Sequence, residues 1–169
     1  MVYALHKGIM VGMTETTFGP DANVTRGQFV TILGRYAGIK DATKDAPAET
    51  KFKDVAAGQY YASHVAWAAE KGIVKGTSET TFDPNAKITR QDMCVMMARY
   101  AAYAKIDLGE SSKAEAFGDD EKIADYAKEA VYSMRDAGII NGVGENIFAP
   151  QSFSTRAQAA KVIHLLLER

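Results

Sequence analysis

The sequence predicts an all-α fold made of repeated helix–loop–helix units, and three observations predict it. The chain matches itself: at a shift of 64, Lys7 to Ala37 align with Lys71 to Ala101, with 15 of 31 positions identical. A third copy follows at a shift of 66, where Gly138, Ile139, Gly142, Phe148, Pro150, Thr155 and Arg156 match Gly72, Ile73, Gly76, Phe82, Pro84, Thr89 and Arg90. Within each copy, apolar residues recur at helical spacing, as in Phe29, Ile32, Leu33 and Tyr36 and in Met93, Met96, Met97 and Tyr100, which marks core-facing stripes. Start and stop signals for helices bracket these stripes at the same register each time.

Taken in order, Met1 to Lys7 align with Val65 to Lys71, so the chain is expected to open in the second half of a helix rather than with a signal peptide. Each first helix stops at a glycine followed by isoleucine, Gly8-Ile9, Gly72-Ile73 and Gly138-Ile139. There the glycine can turn left-handed while the isoleucine folds back on the last turn. A second glycine at Gly12, Gly76 and Gly142 marks a backbone position that a side chain would strain. Phe18, Phe82 and Phe148 are expected to plug the loop into the core, and Pro20, Pro84 and Pro150 to stiffen the turn after it.

The second helix opens at Thr25, Thr89 and Thr155. Gln28 and Gln158 complete capping boxes in units one and three, while Asp92 is too short for a full box in unit two. Val24 with Phe29 and Ile88 with Met93 can form hydrophobic staples, whereas Ser154 with Ala159 makes a looser entry. Phe52, Asp54, Tyr60 and Val65 recur as Phe117, Asp119, Tyr126 and Val131 ahead of the shared text, and the first unit lacks this part. Polar stretches, Lys40 to Lys51 and Lys105 to Glu115, read as connectors. The expected layout is one domain over residues 1–169, with units at 1–39, 52–104 and 117–169 that are each too small for a core of their own.

Composition narrows the function. With 20 Lys plus Arg against 21 Asp plus Glu, the net charge of −1 offers no footprint for a polyanion, so nucleic acid is not an expected partner. The longest apolar runs, Met93 to Ala98 and Val162 to Leu167, fall far short of the roughly 20 residues of a membrane span. His6, His64 and His164 sit at different registers and form no repeated ligand set, and Asp119-Asp120-Glu121 lacks the alternating ligands of a calcium loop. No metal and no cofactor are therefore expected. Cys94 lies in the apolar run of a helix without an evident base, which reads as a small buried hydrophobe rather than a nucleophile, and Trp67 reads as packing between units. No catalytic constellation is present in the pattern, so the expectation is a chain that is not an enzyme.

One residue breaks a local rule three times. Arg26, Arg90 and Arg156 each follow the capping threonine, placing a cation at the positive end of the helix dipole, where acidic residues are favoured. Two readings stay open. An arginine beside unpaired helix amides makes a site for a carboxylate or phosphate; alternatively, each arginine pairs with an acidic side chain of a neighbouring unit, such as Asp54 or Asp119.

The full pattern resembles the S-layer homology family: F-x-D-V, then a tyrosine-containing helix ending G-I-x-x-G, then T-x-F-x-P-x-x-x-[VI]-T-R. The resemblance covers essentially the whole chain as three tandem modules, the first lacking its F-x-D-V segment. It implies a pseudo-threefold helical prism around a three-helix-bundle core, with binding grooves between modules. It also implies a non-catalytic module that tethers exported bacterial proteins to the cell wall or S-layer through secondary cell-wall polysaccharide, commonly through a ketal-pyruvate group on a sugar. Carried onto this chain, the family's T-R-A-E motif falls on Thr25-Arg26, Thr89-Arg90 and Thr155-Arg156, with the glutamate replaced by Gln28, Asp92 and Gln158. The family aspartate falls on Asp54 and Asp119, and its helix-one tryptophan on Tyr60 and Tyr126. The implied ligand set is the three arginines, these aspartates and tyrosines, and the loop residues Gly76, Gly142, Thr77 and Ser78. The alternative is a structural or protein-interaction module, or a peptidoglycan-binding relative, with purely structural arginines. The shortened first unit adds one expectation: a defective groove or a chain-swapped dimer, because Tyr3 and Leu5 would be poorly covered.

Overall fold

The computed structural model describes residues 8–14, 16–110 and 115–169. Among these residues lie five α-helices, α1 (Arg26–Tyr36), α2 (Ala62–Glu70), α3 (Arg90–Ala104), α4 (Asp125–Asp136) and α5 (Arg156–Leu167), with one 3₁₀ turn at Asp120–Lys122. Among the described residues there is no strand, only isolated bridges, so the fold is all-α. Met1 to Lys7, with Tyr3, Leu5 and His6, lie outside the described residues, as do the expectations of a helical start and of chain swapping that rest on them.

Local chemistry sets the helix bounds. Thr25, Thr89 and Thr155 are extended N-caps whose side chains accept the third amide of the helix, and Gln28 and Gln158 return the bond to complete two capping boxes. Asp92 does not reach back and turns to Tyr126 instead. At the other end, α2 and α4 stop at Gly72 and Gly138, both left-handed. The bonds Ile73 N–H to Ala68 O and Gly72 N–H to Ala69 O, at 2.8 and 3.2 Å, are repeated from Ile139 to Met134 and from Gly138 to Arg135 at 3.0 and 2.7 Å. This is the crossed pair that closes a Schellman turn, and it needs a residue tolerant of positive φ. Gly76 answers to a different constraint. A Cβ there would lie 2.2 Å from Ser78 O and 2.3 Å from Thr81 O, so the loop backbone closes over it and leaves no room.

The three loops meet in a closed ring of backbone hydrogen bonds. Val24 donates to Ser154 O, Ser154 to Ile88 O, and Ile88 to Val24 O, each at 3.0 Å. These three positions are buried to zero exposure. Just outside the ring, the first two amides of each second helix donate into the loop of the next unit. Arg26 and Gly27 reach Ala86 O and Pro84 O, Arg90 and Gln91 reach Ser152 O and Pro150 O, and Arg156 and Ala157 reach Ala22 O and Pro20 O. Helix ends leave such amides without intrahelical partners, and here the following unit supplies the acceptors.

One core runs through all three units. Phe29, Leu33, Val65, Phe82, Met93, Met97, Val131 and Phe148 belong to it. Phe82 and Phe148 are fully buried and pack on Phe52 and Phe117 at ring distances of 5.5 and 5.4 Å. Phe18 has no such partner among the described residues of its own unit and is only half-buried. Cys94 is enclosed, and burial pushes its thiol up to about 12; Trp67 is buried edge-on against Tyr100 and Tyr103, so the ring partners it shows lie within its own unit rather than between units. Tyr36 departs from the expected stripe: at 38% exposure it sits at the rim, edge-on to Tyr100. No helix among the described residues is long and apolar enough to cross a membrane.

Candidate functional site

The three helix-start arginines are buried, at 8, 5 and 6% exposure for Arg26, Arg90 and Arg156. Each guanidinium lies over the plug phenylalanine of the next unit, Arg26 on Phe82, Arg90 on Phe148 and Arg156 on Phe18, with 4.8 to 4.9 Å to the ring centre. Each Nε donates to the carbonyl of that phenylalanine, at 2.9, 2.9 and 2.8 Å. One terminal nitrogen donates to a second loop carbonyl, Lys75 O for Arg26, Asn141 O for Arg90 and Val11 O for Arg156. A charged donor makes a stronger bond than a neutral one, and this explains why a cation is kept at a helix start: it ties two loop carbonyls rather than opposing the dipole.

Neither sequence reading anticipated these acceptors. Asp54 and Asp119 do not pair with the arginines. The Asp54 carboxylate accepts from the Phe82 and Asp83 amides at 2.7 to 3.2 Å, and Asp119 from Phe148 and Ala149 at 2.8 Å each. Asp83 and Ala149 are left-handed non-glycine residues, a conformation that strains an L-residue, and the aspartate bonds hold it in place. Gly19, also left-handed, occupies the same register in unit one, where no aspartate holds it among the described residues. The helix amides expected to help bind an anion are also engaged, since the first two donate to the next loop and the third to the capping threonine.

Beside each arginine lies an open cleft, and the three clefts repeat one another. The Arg26 cleft, about 440 Å³, is lined by Gly76, Thr77, Asp92, Met96, Arg99 and Tyr126 among others. The Arg156 cleft, about 370 Å³, has Gly12, Gln28, Ile32, Arg35 and Tyr60 at the matching registers. The Arg90 cleft, about 310 Å³, has Gly142, Gln158 and Val162, with Lys161 alongside. No aromatic of the Tyr60 and Tyr126 register lines the Arg90 cleft among the described residues, and Leu165 stands at the register of Arg35 and Arg99. Each cleft therefore draws a loop and a second helix from one unit and an arginine from the preceding one. The first adds Tyr126 from α4 of the following unit, and the second Tyr60 from the turn that leads into α2.

Charge favours an anion in all three. Counting lining residues, the Arg26 cleft holds Arg26, Lys75 and Arg99 against Asp92, the Arg156 cleft Arg156 and Arg35 against Asp41, and the Arg90 cleft Arg90 and Lys161 alone. Burial lowers the pKa of all three helix-start arginines from the usual value, yet a guanidinium starts so high that it stays charged. Arg26 Nη1 faces Asp92 at 3.8 Å, while Nη1 of Arg90 and of Arg156 has no partner among the described residues.

The remaining candidates fall in different places. Tyr126 is 61% exposed with its hydroxyl donating to Asp92 at 2.8 Å and accepting from Gln91 at 3.0 Å. Tyr60 is 38% exposed and edge-on to Tyr61. Thr77 lines the Arg26 cleft with its hydroxyl donating to Asp83 at 2.6 Å. Ser78 is exposed and accepts from the Thr80 amide, and neither it nor the two aspartates is among the residues lining these clefts. The residue that sequence reasoning passed over is Arg99 with its counterpart Arg35. Its signal was present in the R-Y-A that ends the repeated text. No group of three or more metal-ligating side chains occurs among the described residues.

Comparison with known proteins recovers the three repeats. The chain is 36% identical over 161 residues to an amylopullulanase of Thermoanaerobacterium thermosulfurigenes, covering 95% of the chain and 8% of that protein. It is 35% identical over 161 residues to the exoglucanase XynX of Acetivibrio thermocellus, with 95% and 14% covered. A surface layer protein of Brevibacillus choshinensis is 30% identical over 96 residues, 57% of the chain and 9% of that protein. The chain thus spans a small fraction of each relative. The family model of the S-layer homology domain matches residues 3–30, 51–94 and 116–160, one segment for each repeat and for each cleft loop, and the chain belongs to that family.

Proposed function

We propose that this chain is a non-catalytic module that holds a larger exported protein to the bacterial cell wall, outside the cell, by binding secondary cell-wall polysaccharide in the clefts between units, with a ketal-pyruvate carboxylate as the charged group gripped. The observation that carries the reading is the recurrence of one cleft three times, each with a pinned guanidinium and a net positive lining. A guanidinium fixed by two carbonyls loses little freedom on binding, and a pre-organised cation costs less to engage than a mobile one. A repeating polymer can occupy several clefts at once, and linked sites exceed single affinities by about 10² to 10⁴. The relatives support the same reading: their names divide between polysaccharide-degrading enzymes and surface proteins, so the short segment they share with this chain is common to different activities. The closed ring of loops supports a prism-like arrangement of the three modules.

A second reading, in which the arginines serve only to lock units together, is favoured by their bonds to loop carbonyls. The test pulls the chain down with purified wall sacculi before and after mild acid has removed the secondary polymer. Binding that disappears with the polymer supports the proposal. Binding that survives points to peptidoglycan, and no binding to either preparation points to the structural role.

A further inference from the structure

The Arg26 cleft does not end at Tyr126. A second cleft of about 390 Å³ opens on the far side, between α3 and α4, and shares Val95, Arg99 and Tyr126 with the first. Its floor is Ala98 and Ala130, and Glu129 and Ser133 stand on its wall. That volume lies within the range of small-molecule sites, which begins at about 300 Å³.

The matching space between α1 and α2 is filled. At the register of Ala130 stands His64, fully buried, and its ring lies so close to Gly34, the counterpart of Ala98, that a Cβ there would be 2.3 Å from Nδ1. Trp67 replaces Ser133 and is also buried. Arg35, the counterpart of Arg99, is held in a two-point bond by Asp41, which also takes His64 Nε2 at 2.9 Å. Two interfaces of the same repeat thus differ: one is filled by the His64 imidazole over Gly34, and the other is left open by Ala98 and Ala130.

The open cleft has the chemistry of a sugar site. Tyr126 presents an exposed ring whose hydroxyl is fixed by Asp92 and by the buried Gln91, a rigid surface against which the C–H face of a pyranose can lie. Arg99 offers donors and Glu129 acceptors for hydroxyl groups, and neither makes a hydrogen bond or ion pair among the described residues. We propose that the two clefts form one continuous surface for two consecutive sugar residues of the polymer: an acidic sugar beside Arg26 and the next, uncharged sugar between Tyr126, Arg99 and Glu129. The Arg156 cleft, closed off by His64, takes a single sugar. This rests on the polysaccharide reading above and deepens it.

The probe is the methyl glycoside of a 4,6-O-pyruvylated hexose, alone and as the terminal residue of a synthetic disaccharide, titrated calorimetrically into the whole chain. The disaccharide is expected to bind one of the sites about 10-fold more tightly than the monosaccharide, a factor of ten being a modest gain for a second ring. Glu129→Ala, at an exposed position, and Ser133→Trp, which copies Trp67, are expected to erase that gain and leave monosaccharide affinity within about twofold. Equal affinities in the unaltered chain, or a gain that persists in both variants, overturns the second subsite while leaving the first intact. Failure of both sugars to bind overturns the polysaccharide reading itself, and the subsite with it.

Discussion

Replacing Arg90 with alanine tests whether the helix-start arginines hold the units together. The side chain is 5% exposed and donates to Phe148 O at 2.9 Å and to Asn141 O at 2.8 Å, with its guanidinium 4.9 Å from the Phe148 ring. Hydrogen bonds to charged groups are each worth about 1.5 to 3 kcal/mol, and the ring contact adds about 0.5 to 2. Alanine also removes the cost of burying a charge, which offsets part of this sum, so the net loss should be about 3 to 5 kcal/mol, as when a buried charge partner is removed. For a chain of this size, each kcal/mol moves Tm by about 2 to 4 °C, giving a fall of about 6 to 20 °C. Urea unfolding followed by circular dichroism measures it, with Lys161→Ala from the exposed rim of the same cleft as a surface control expected within about 0.5 kcal/mol. The double variant Arg26→Ala, Arg90→Ala should depart from additivity by more than about 0.5 kcal/mol, because the loops that the two arginines tie down meet in the same ring. A loss below about 1 kcal/mol for Arg90→Ala would refute the structural role, since no exposed pair costs more than that to lose.

Two further outcomes follow from buried polar groups. The Ser154 hydroxyl is buried without a partner among the described residues, at the register of Val24 and Ile88, so Ser154→Val should stabilise the chain by about 1 to 3 kcal/mol in urea unfolding; destabilisation would show that the site has no room for the extra methyl. Burial holds the His64 imidazole below its ordinary value of 6.5 despite the bond to Asp41, so below that pH the unfolded chain binds the additional proton. Stability from this group is therefore full above about pH 6.5 and falls toward pH 5, and His64→Gln should flatten that slope in thermal melts across the same range.

Much of the local structure was legible because it is written in side chains. The capping threonines and glutamines, the glycines that end α2 and α4, and the plug phenylalanines each leave a residue-type signature at fixed spacing. The roles of Arg26, Arg90 and Arg156 were not legible in the same way, because their acceptors are carbonyls. Every residue carries one, so no pattern in the sequence singles out Phe82 O or Asn141 O. Asp54 and Asp119 escaped for the mirror reason: their partners are amides. The closure of the loop ring depends on which unit meets which, and repetition alone does not order the neighbours. Arg99 stood in the repeat text but drew no notice, because its importance comes from the missing partner that Asp41 supplies to Arg35. The contrast between His64 and Ala130 is visible in an alignment of the repeats, but its meaning depends on Gly34 lying directly beneath the imidazole.

The ring of hydrogen bonds through Val24, Ile88 and Ser154 gives the chain no first or last member in space, although it has both in sequence. In an open stack of repeats the terminal unit can peel away by giving up one interface. Here the loss of any unit breaks two, leaving a helix start with nothing to donate to and a loop with nothing to receive. Fraying from either terminus therefore gains little until all three units separate, and unfolding should proceed in a single cooperative step. On the proposed anchoring role, such closure would turn a steady pull into an all-or-none event rather than a gradual unravelling.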